Sequence, residues 1–185
     1  AERPLILAGN GINCAQARDE FVDFVQRTNI PVVTSYNAVD LFPSVYSNFV
    51  GRVGVKGTRA GNFAMQNCDL LLVIGCRLSV PVTGYNYTTF AREAKVIVVD
   101  IDKDEHSKET VKIDRFIHRD AKDFVNINVF DRDKNDWNEI CRLWKKKWPV
   151  CPDTNPTEKV DLYYFMKCLN DLKRDDDVVI SDAGS

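Results

Sequence analysis

Five consecutive large apolar residues, Leu70 to Ile74, stand between Asp69 and Gly75 with no polar alternation. A run of that length suits a strand buried on both faces, as in the centre of a parallel sheet, better than a half-wet antiparallel strand, and it is too short for a buried helix. The small or polar residues that follow, Cys76, Arg77 and Ser79, then fall at the strand's carboxyl end, where open α/β sheets bind ligands. Lys95 to Ile101 (KVIVVDI) repeats the pattern and carries Asp100 and Asp102 at its carboxyl end. Pro4 to Ala8 (PLILA) and Pro31 to Thr34 (PVVT) are shorter versions, with Pro31 at a first position where its missing donor costs least.

Between these runs the period becomes helical. Asn13 with Gln16 resembles a capping box, and Ala17, Phe21, Phe24 and Val25 follow on one face. Ser35 to Val53 is aromatic and rich in Asn, Ser and Pro43, and reads as a long functional loop with at most a short helix. Gly54 to Thr58 introduces a helix over Arg59 to Asn67, and a helical turn is expected at Thr89 to Arg92. Thr110 to Asp114 reads as a brief edge strand. Asp120 to Phe130 reads as a helix with Ala121, Phe124, Val125 and Asn128 inward. Trp137, Ile140, Cys141, Trp144 and Trp148 mark an amphipathic helix ended by Pro149. Lys145, Lys146 and Lys147 near its C-terminus favour the helix dipole and read as a solvated face. Val150 to Lys159 is a linker, followed by a helix with Leu162, Phe165, Met166, Leu169 and Leu172 inward and a strand at Val178 to Ser181. Strands alternating with helices predict an α/β fold: a doubly wound, Rossmann-like parallel sheet of about six strands with helices on both faces. That domain is expected over residues 1–149, with a linker at 150–159 and a further segment at 160–185.

The totals narrow the function classes. The chain has 185 residues, is 44% hydrophobic, and carries a net charge of -2. It can bury one sizeable core, but it presents no basic field for nucleic acid or anionic lipid. No apolar run approaches the roughly 20 residues that span a bilayer, and AERPLIL lacks the regions of a signal peptide. No membrane partner and a cytoplasmic location are expected. Cys14, Cys68, Cys76, Cys141, Cys151 and Cys168 form no CxxC pair and no zinc spacing, and read as reduced thiols. The chain has no initiating Met and ends on SDAGS just after a strand-like run, so both ends read as cuts through a longer polypeptide.

Gly9-Asn10-Gly11 sits between a strand and a helix, where a dinucleotide fold places its phosphate turn, but Cys14 occupies the third glycine position. A tight strand-to-helix turn and a phosphate site both remain open on these residues alone. Convergence sharpens the picture. In a doubly wound sheet the strand exits share one edge, which would carry Gly9 to Gly11, Thr34, Ser35, Gly75, Arg77, Asp100 and Asp102. Small residues admit a ligand to the backbone, Arg77 suits a phosphate, and a carboxylate at a strand end suits ribose or ring hydrogen bonds. The competing possibility is a vestigial crevice with Arg77 paired to Asp100 or Asp102. His106 and His118 lie in no metal or triad pattern and read as lone histidines, so no catalytic residue and no metal ligand is expected.

The segments PLILAGNG, IPVVTSYNAVDLFP, VGVKGTRAGNFAMQNCDLLLVIGCRL and VTGYNYTTFAREAKVIVVDID closely resemble the central domain of thiamine diphosphate enzymes of the acetolactate synthase type, over about Pro4 to Phe130. The tail from Val160, ending VVISDAGS, resembles the opening of the same enzymes' C-terminal, diphosphate-binding domain. The resemblance implies a three-domain enzyme that decarboxylates a 2-keto acid and passes the carbanion equivalent to an acceptor. Its cofactors would be thiamine diphosphate and Mg2+, and it would assemble as a homodimer or tetramer. The activating glutamate and the GDG motif of that family belong to flanking domains, so this chain alone is expected to be inactive. Ala183, Gly184 and Ser185 match positions that touch the cofactor diphosphate.

In acetolactate synthases the central domain binds FAD without using its redox chemistry. The positions matching that site are Gly9, Asn10, Gly11, Thr34, Ser35, Gly54, Val55, Lys56, Gly75, Cys76, Arg77, Asp100 and Ile101. Two departures stand out: Ser79, Val80 and Pro81 replace an acidic pair and Arg, and Lys56 replaces the His of a GMHG motif. Two other readings are a stand-alone regulatory module whose crevice binds an adenine nucleotide, and a structural domain supporting dimerisation.

Overall fold

The computed structural model describes residues 1–127, 136–151, 153–155, 158–174 and 176–180. The chain divides into two compact units, Ala1–Trp148 and Pro149–Ser185.

The first unit is built on six strands: β1 (Pro4–Ala8), β2 (Val32–Thr34), β3 (Phe49–Arg52), β4 (Leu70–Ile74), β5 (Lys95–Asp100) and β6 (Arg115–His118). Every neighbouring pair is parallel and the spatial order is β3-β2-β1-β4-β5-β6, that of the dinucleotide-binding fold. The expected doubly wound sheet is therefore present. β1 and β4, the two strands at the reversal of order, pair residue for residue from Pro4↔Leu70 to Ala8↔Ile74. All five residues of β1 are buried, which is why this run shows no alternation.

Helices cover both faces. Leu5, Leu7, Leu71, Val73 and Val98 face α3 (Arg59–Asn67), α4 (Val80–Thr83) and α6 (Asp136–Lys147) through Ala60, Ala64, Met65, Val82, Trp137 and Cys141. Ile6, Ala8, Ile74 and Val99 face α1 (Gly11–Cys14), α2 (Arg18–Thr28) and α5 (Ala121–Val125) through Ile12, Phe21, Phe24, Val25 and Val125. Fully burying a side chain such as Phe21 or Leu71 is worth about 1.5–3 kcal/mol, so these two layers dominate stability. α6 is tied to the sheet by Trp137, whose Nε1 donates to the Pro4 carbonyl at 3.1 Å.

Several expectations are corrected. β3 lies inside the stretch read as a loop: FVGR is an edge strand whose Gly51 has φ +149° and whose pairing with β2 shifts register at Val32/Val33. The edge strand expected at Thr110–Asp114 lies instead at Arg115–His118, because Asp114 is spent entering it, its N–H on Val96 O and its carboxylate on Val96 N. No capping box forms at Asn13. The chain turns left-handed at Gln16 (φ 51°), and α2 starts afresh at Arg18. The helical turn expected at Thr89–Arg92 is a 3-10 turn at Tyr87–Thr89, followed by Ala91 at φ 43°. α5 closes at Val125, and the inward position expected for Asn128 lies outside the described residues.

The three lysines ending α6 are not one solvated face. Lys145 is half-buried, and its ammonium donates to the carbonyls of Ser44 (2.6 Å), Tyr46 (3.2 Å) and Phe49 (2.6 Å). Burial pushes its pKa below the ordinary lysine value.

In the second unit, α7 (Leu162–Leu172) is capped by Asp161, whose carboxylate accepts from Tyr164 N at 2.9 Å. Leu162, Tyr163, Phe165, Met166 and Leu172 are exposed. Val178 to Ile180 are not in a strand, and Ser181 lies outside the described residues.

Candidate functional site

Parallel strands send their carboxyl ends to one edge, and the loops leaving β1 to β5 carry the candidate residues there. Gly9, Asn10 and Gly11 form the β1–α1 turn, Thr34 and Ser35 close β2, Gly54 to Lys56 follow β3, Gly75 to Arg77 follow β4, and Asp100 and Ile101 close β5. Ala183, Gly184 and Ser185 lie outside the described residues.

At the reversal of strand order the glycines pack backbone against backbone. Gly9 N donates to Ile74 O and Gly11 N to Gly75 O, both at 2.9 Å. A Cβ on Gly9 would sit 2.1 Å from Gly75 O, and one on Gly75, whose φ is +58°, would sit 2.9 Å from Gly11 Cα. Gly9 and Gly11 thus give two of the turn's amides to the end of β4 and the loop that leaves it. Asn10 is exposed, and its Oδ1 accepts from Asn13 Nδ2 at 3.2 Å.

The β3–α3 loop is tied down in the same way. Asn62 grips Gly54 reciprocally, accepting from its N at 2.9 Å and donating to its O at 3.1 Å, and Val55 N donates to Pro81 O at 2.9 Å. Thr58 caps α3 by accepting from Gly61 N at 3.0 Å. These ties leave Val55 76% exposed on the rim, with Lys56 Nζ 5.5 Å from the centre of the Tyr36 ring. Ile101, at the end of β5, is 65% exposed. Large apolar side chains held in solvent on a ligand-binding edge are candidates for contact with a flat apolar surface.

Beneath the rim, Thr34 is fully buried and its Oγ1 has no hydrogen-bond partner. Cys76 is buried too, and burial raises its thiol to about 11 against the lowering effect of the Leu78 N–H and the Ser35 hydroxyl. Burial also pushes Asp100 upward, but His106 and the N–H groups of Asp102 and Ile101 outweigh it and hold the carboxyl below its ordinary value.

Arg77 pairs with neither Asp100 nor Asp102; its guanidinium donates to Glu105 at 3.1 Å. The partner of Asp100 is His106, whose Nε2 lies 3.4 Å from Oδ2, an ion-pair distance without hydrogen-bond alignment. His106 is not a lone surface histidine, since its side chain is 3% exposed. Sequence reasoning missed Glu105, His106 and Lys108, which share a 3-10 turn and its exit after β5. The available signal was the run of charged residues just past a strand end. Among the described residues there is no cluster of three metal-binding side chains, and no helix is long and apolar enough to cross a membrane.

A sequence profile of the thiamine pyrophosphate enzyme central domain matches residues 1–127. The chain is 35% identical over 195 aligned residues to a probable acetolactate synthase large subunit of Methanocaldococcus jannaschii, covering 100% of this chain and 33% of that protein. It is 30% identical over 184 residues to the acetolactate synthase isozyme 2 large subunit of Escherichia coli, covering 100% and 33%. The large subunit of Corynebacterium glutamicum is 40% identical over 178 residues, covering 92% and 28%. The chain spans about a third of the length of the first two relatives. With its all-parallel sheet and glycine-bearing rim, it belongs to the thiamine pyrophosphate enzyme central-domain family.

Proposed function

We propose that the chain is the central domain of an acetolactate synthase-like enzyme that uses thiamine diphosphate and Mg2+ to decarboxylate a 2-keto acid and transfer the product carbanion equivalent to an acceptor. The observation that carries this reading is the similarity over the whole chain to acetolactate synthase large subunits about three times its length. Residues 1–149 form the central domain, 150–159 link it onward, and 160–185 open the diphosphate-binding domain, with Ala183, Gly184 and Ser185 against the cofactor. The exposed apolar residues of α7 support that division, because a helix with such a face is built to be covered. The full polypeptide acts in the cytoplasm as a homodimer or tetramer, and this chain alone is inactive.

The rim fits the adenosine part of FAD. Ile101 and Val55 offer apolar flanks, Asp100 a carboxylate held ionised for ribose, and Arg77 further donors beyond the one given to Glu105. The diphosphate is not cradled by the Gly9 and Gly11 amides, which are already committed. FAD, when bound, supplies a structural contact here and no electron transfer.

The test is expression of the full reading frame containing this chain, with CO2 release measured from a panel of 2-keto acids with and without thiamine diphosphate and Mg2+. Cofactor-dependent release is expected. No release from any keto acid, in a protein that melts cooperatively, overturns the enzyme reading. Visible flavin absorbance in the same purified protein supports FAD at the rim, and a colourless preparation that FAD does not stabilise removes it.

A further inference from the structure

Beside the glycine crevice, and sharing only Arg77 with its candidate residues, the carboxyl edge holds a cavity of about 230 Å³ between the β4–α4 loop and the β5–β6 connection. We infer that this cavity is a binding site for a small aliphatic carboxylate, its charge held by Arg77 and Lys108 and its hydrocarbon body seated on Val80, Val111 and Ile113.

The charge argument starts from Glu105, which accepts from both Arg77 (3.1 Å) and Lys108 (2.7 Å). Of the residues lining the cavity, Arg77 and Lys108 are cationic and Glu105 is the one carboxylate, while Asp100, Asp102, Asp104 and Glu109 of the same connection are not among them. A guanidinium has five N–H donors and an ammonium three, and each gives one to Glu105, so donors remain for a second carboxylate. Glu105 thereby gathers both cations at the mouth, where the Arg77 and Lys108 side chains remain 73% and 55% exposed. His106 also lines the cavity: its ring is almost fully buried, and its Nε2 faces the Asp100 carboxylate at 3.4 Å.

The opposite wall is aliphatic, with Leu78 and Val111 each 6% exposed. Leu78 is held at φ +54°, a left-handed turn that turns this side chain inward and leaves its neighbours Arg77 and Ser79 exposed. The volume, about 230 Å³, suits a short branched acid. An inorganic anion would leave the aliphatic wall uncovered, and a neutral alkane would leave the cations without a counter-charge.

The site does not depend on thiamine diphosphate chemistry but shares Arg77 with the FAD reading, so the titration uses flavin-free protein, in which no second ligand competes for that guanidinium. Isovalerate is titrated by calorimetry, with isovaleramide as the neutral analogue of the same shape. Saturable binding of isovalerate is expected, at least tenfold tighter than the amide. Lys108→Gln should weaken it about tenfold, the effect of one charge-assisted hydrogen bond. Thr110 is exposed at the mouth, and Thr110→Trp should abolish binding while the protein still melts cooperatively. Ser79→Trp, also exposed, replaces it if that variant does not fold. Absence of saturation, equal affinity for the amide, or undiminished binding by a folded tryptophan variant each overturns the assignment.

Discussion

Lys145 offers the sharpest test of how the second layer of this fold is held. Its ammonium reaches from α6 to three carbonyls around the entry to β3, those of Ser44, Tyr46 and Phe49, and also lies 5.5 Å from the centre of the Phe49 ring. Lys145→Met keeps the length of the stem and removes every donor. Hydrogen bonds to charged groups are worth about 1.5–3 kcal/mol when buried. At this half-buried place water can reclaim part of each, so the two short bonds count about 1 kcal/mol apiece and the longer one less. The cation–ring contact adds about 0.5 kcal/mol. The expected loss is therefore about 2–3 kcal/mol, or about 6–10 °C in Tm for a unit of this size. Urea denaturation should show a lower midpoint at unchanged slope, and amide exchange should accelerate first between Ser44 and Phe49. Lys146→Met, on the exposed side of the same turn, should stay within about 0.5 kcal/mol of the parent. The lysine variant also carries a pH signature. With its folded-state pKa lowered by burial, Lys145 binds fewer protons in the native than in the unfolded chain between that pKa and 10.5. Native stability relative to Lys145→Met therefore rises with pH across that window. A Lys145→Met protein as stable as Lys146→Met, with no change in exchange at Ser44 to Phe49, refutes the latch.

Two further outcomes follow from packing. Gly9→Ala places a methyl 2.1 Å from Gly75 O and 2.4 Å from Cys76 Cα, so a loss above about 3 kcal/mol or failure to yield soluble protein is expected; a cooperative melt near the parent's would contradict the packing. At pH 8 in the native chain, alkylation followed by mass spectrometry should find Cys14 modified while Cys68 and Cys141, raised to about 12 by burial, and Cys76, raised to about 11, stay free; early labelling of any of these three would show that the core opens there.

The legible parts of this sequence were those decided by burial on both faces. Leu70 to Ile74 and Lys95 to Asp100 have no alternation because helices cover them above and below, and that single fact locates the site edge. β3 escaped because an edge strand containing glycine and broken in register lacks both signals. Lys145 was misread because helical periodicity says which way a side chain leaves its own helix, whereas its partners come from a loop about a hundred residues earlier. The rim residues were placed on one edge by topology alone. Their partners were not: Glu105 on Arg77, His106 on Asp100 and Asn62 on Gly54 depend on loop conformations that no pattern encodes.

The glycine seam between the first and fourth strands has an evolutionary corollary. Since neighbouring loops are packed there main chain against main chain, the foundation of the binding edge tolerates almost no variation, while residues standing on it, such as Lys56, Ser79 and Ile101, are exposed. Descendants of one ancestor can therefore exchange the molecule they hold by altering a few outward side chains, and the scaffold underneath will not register the change.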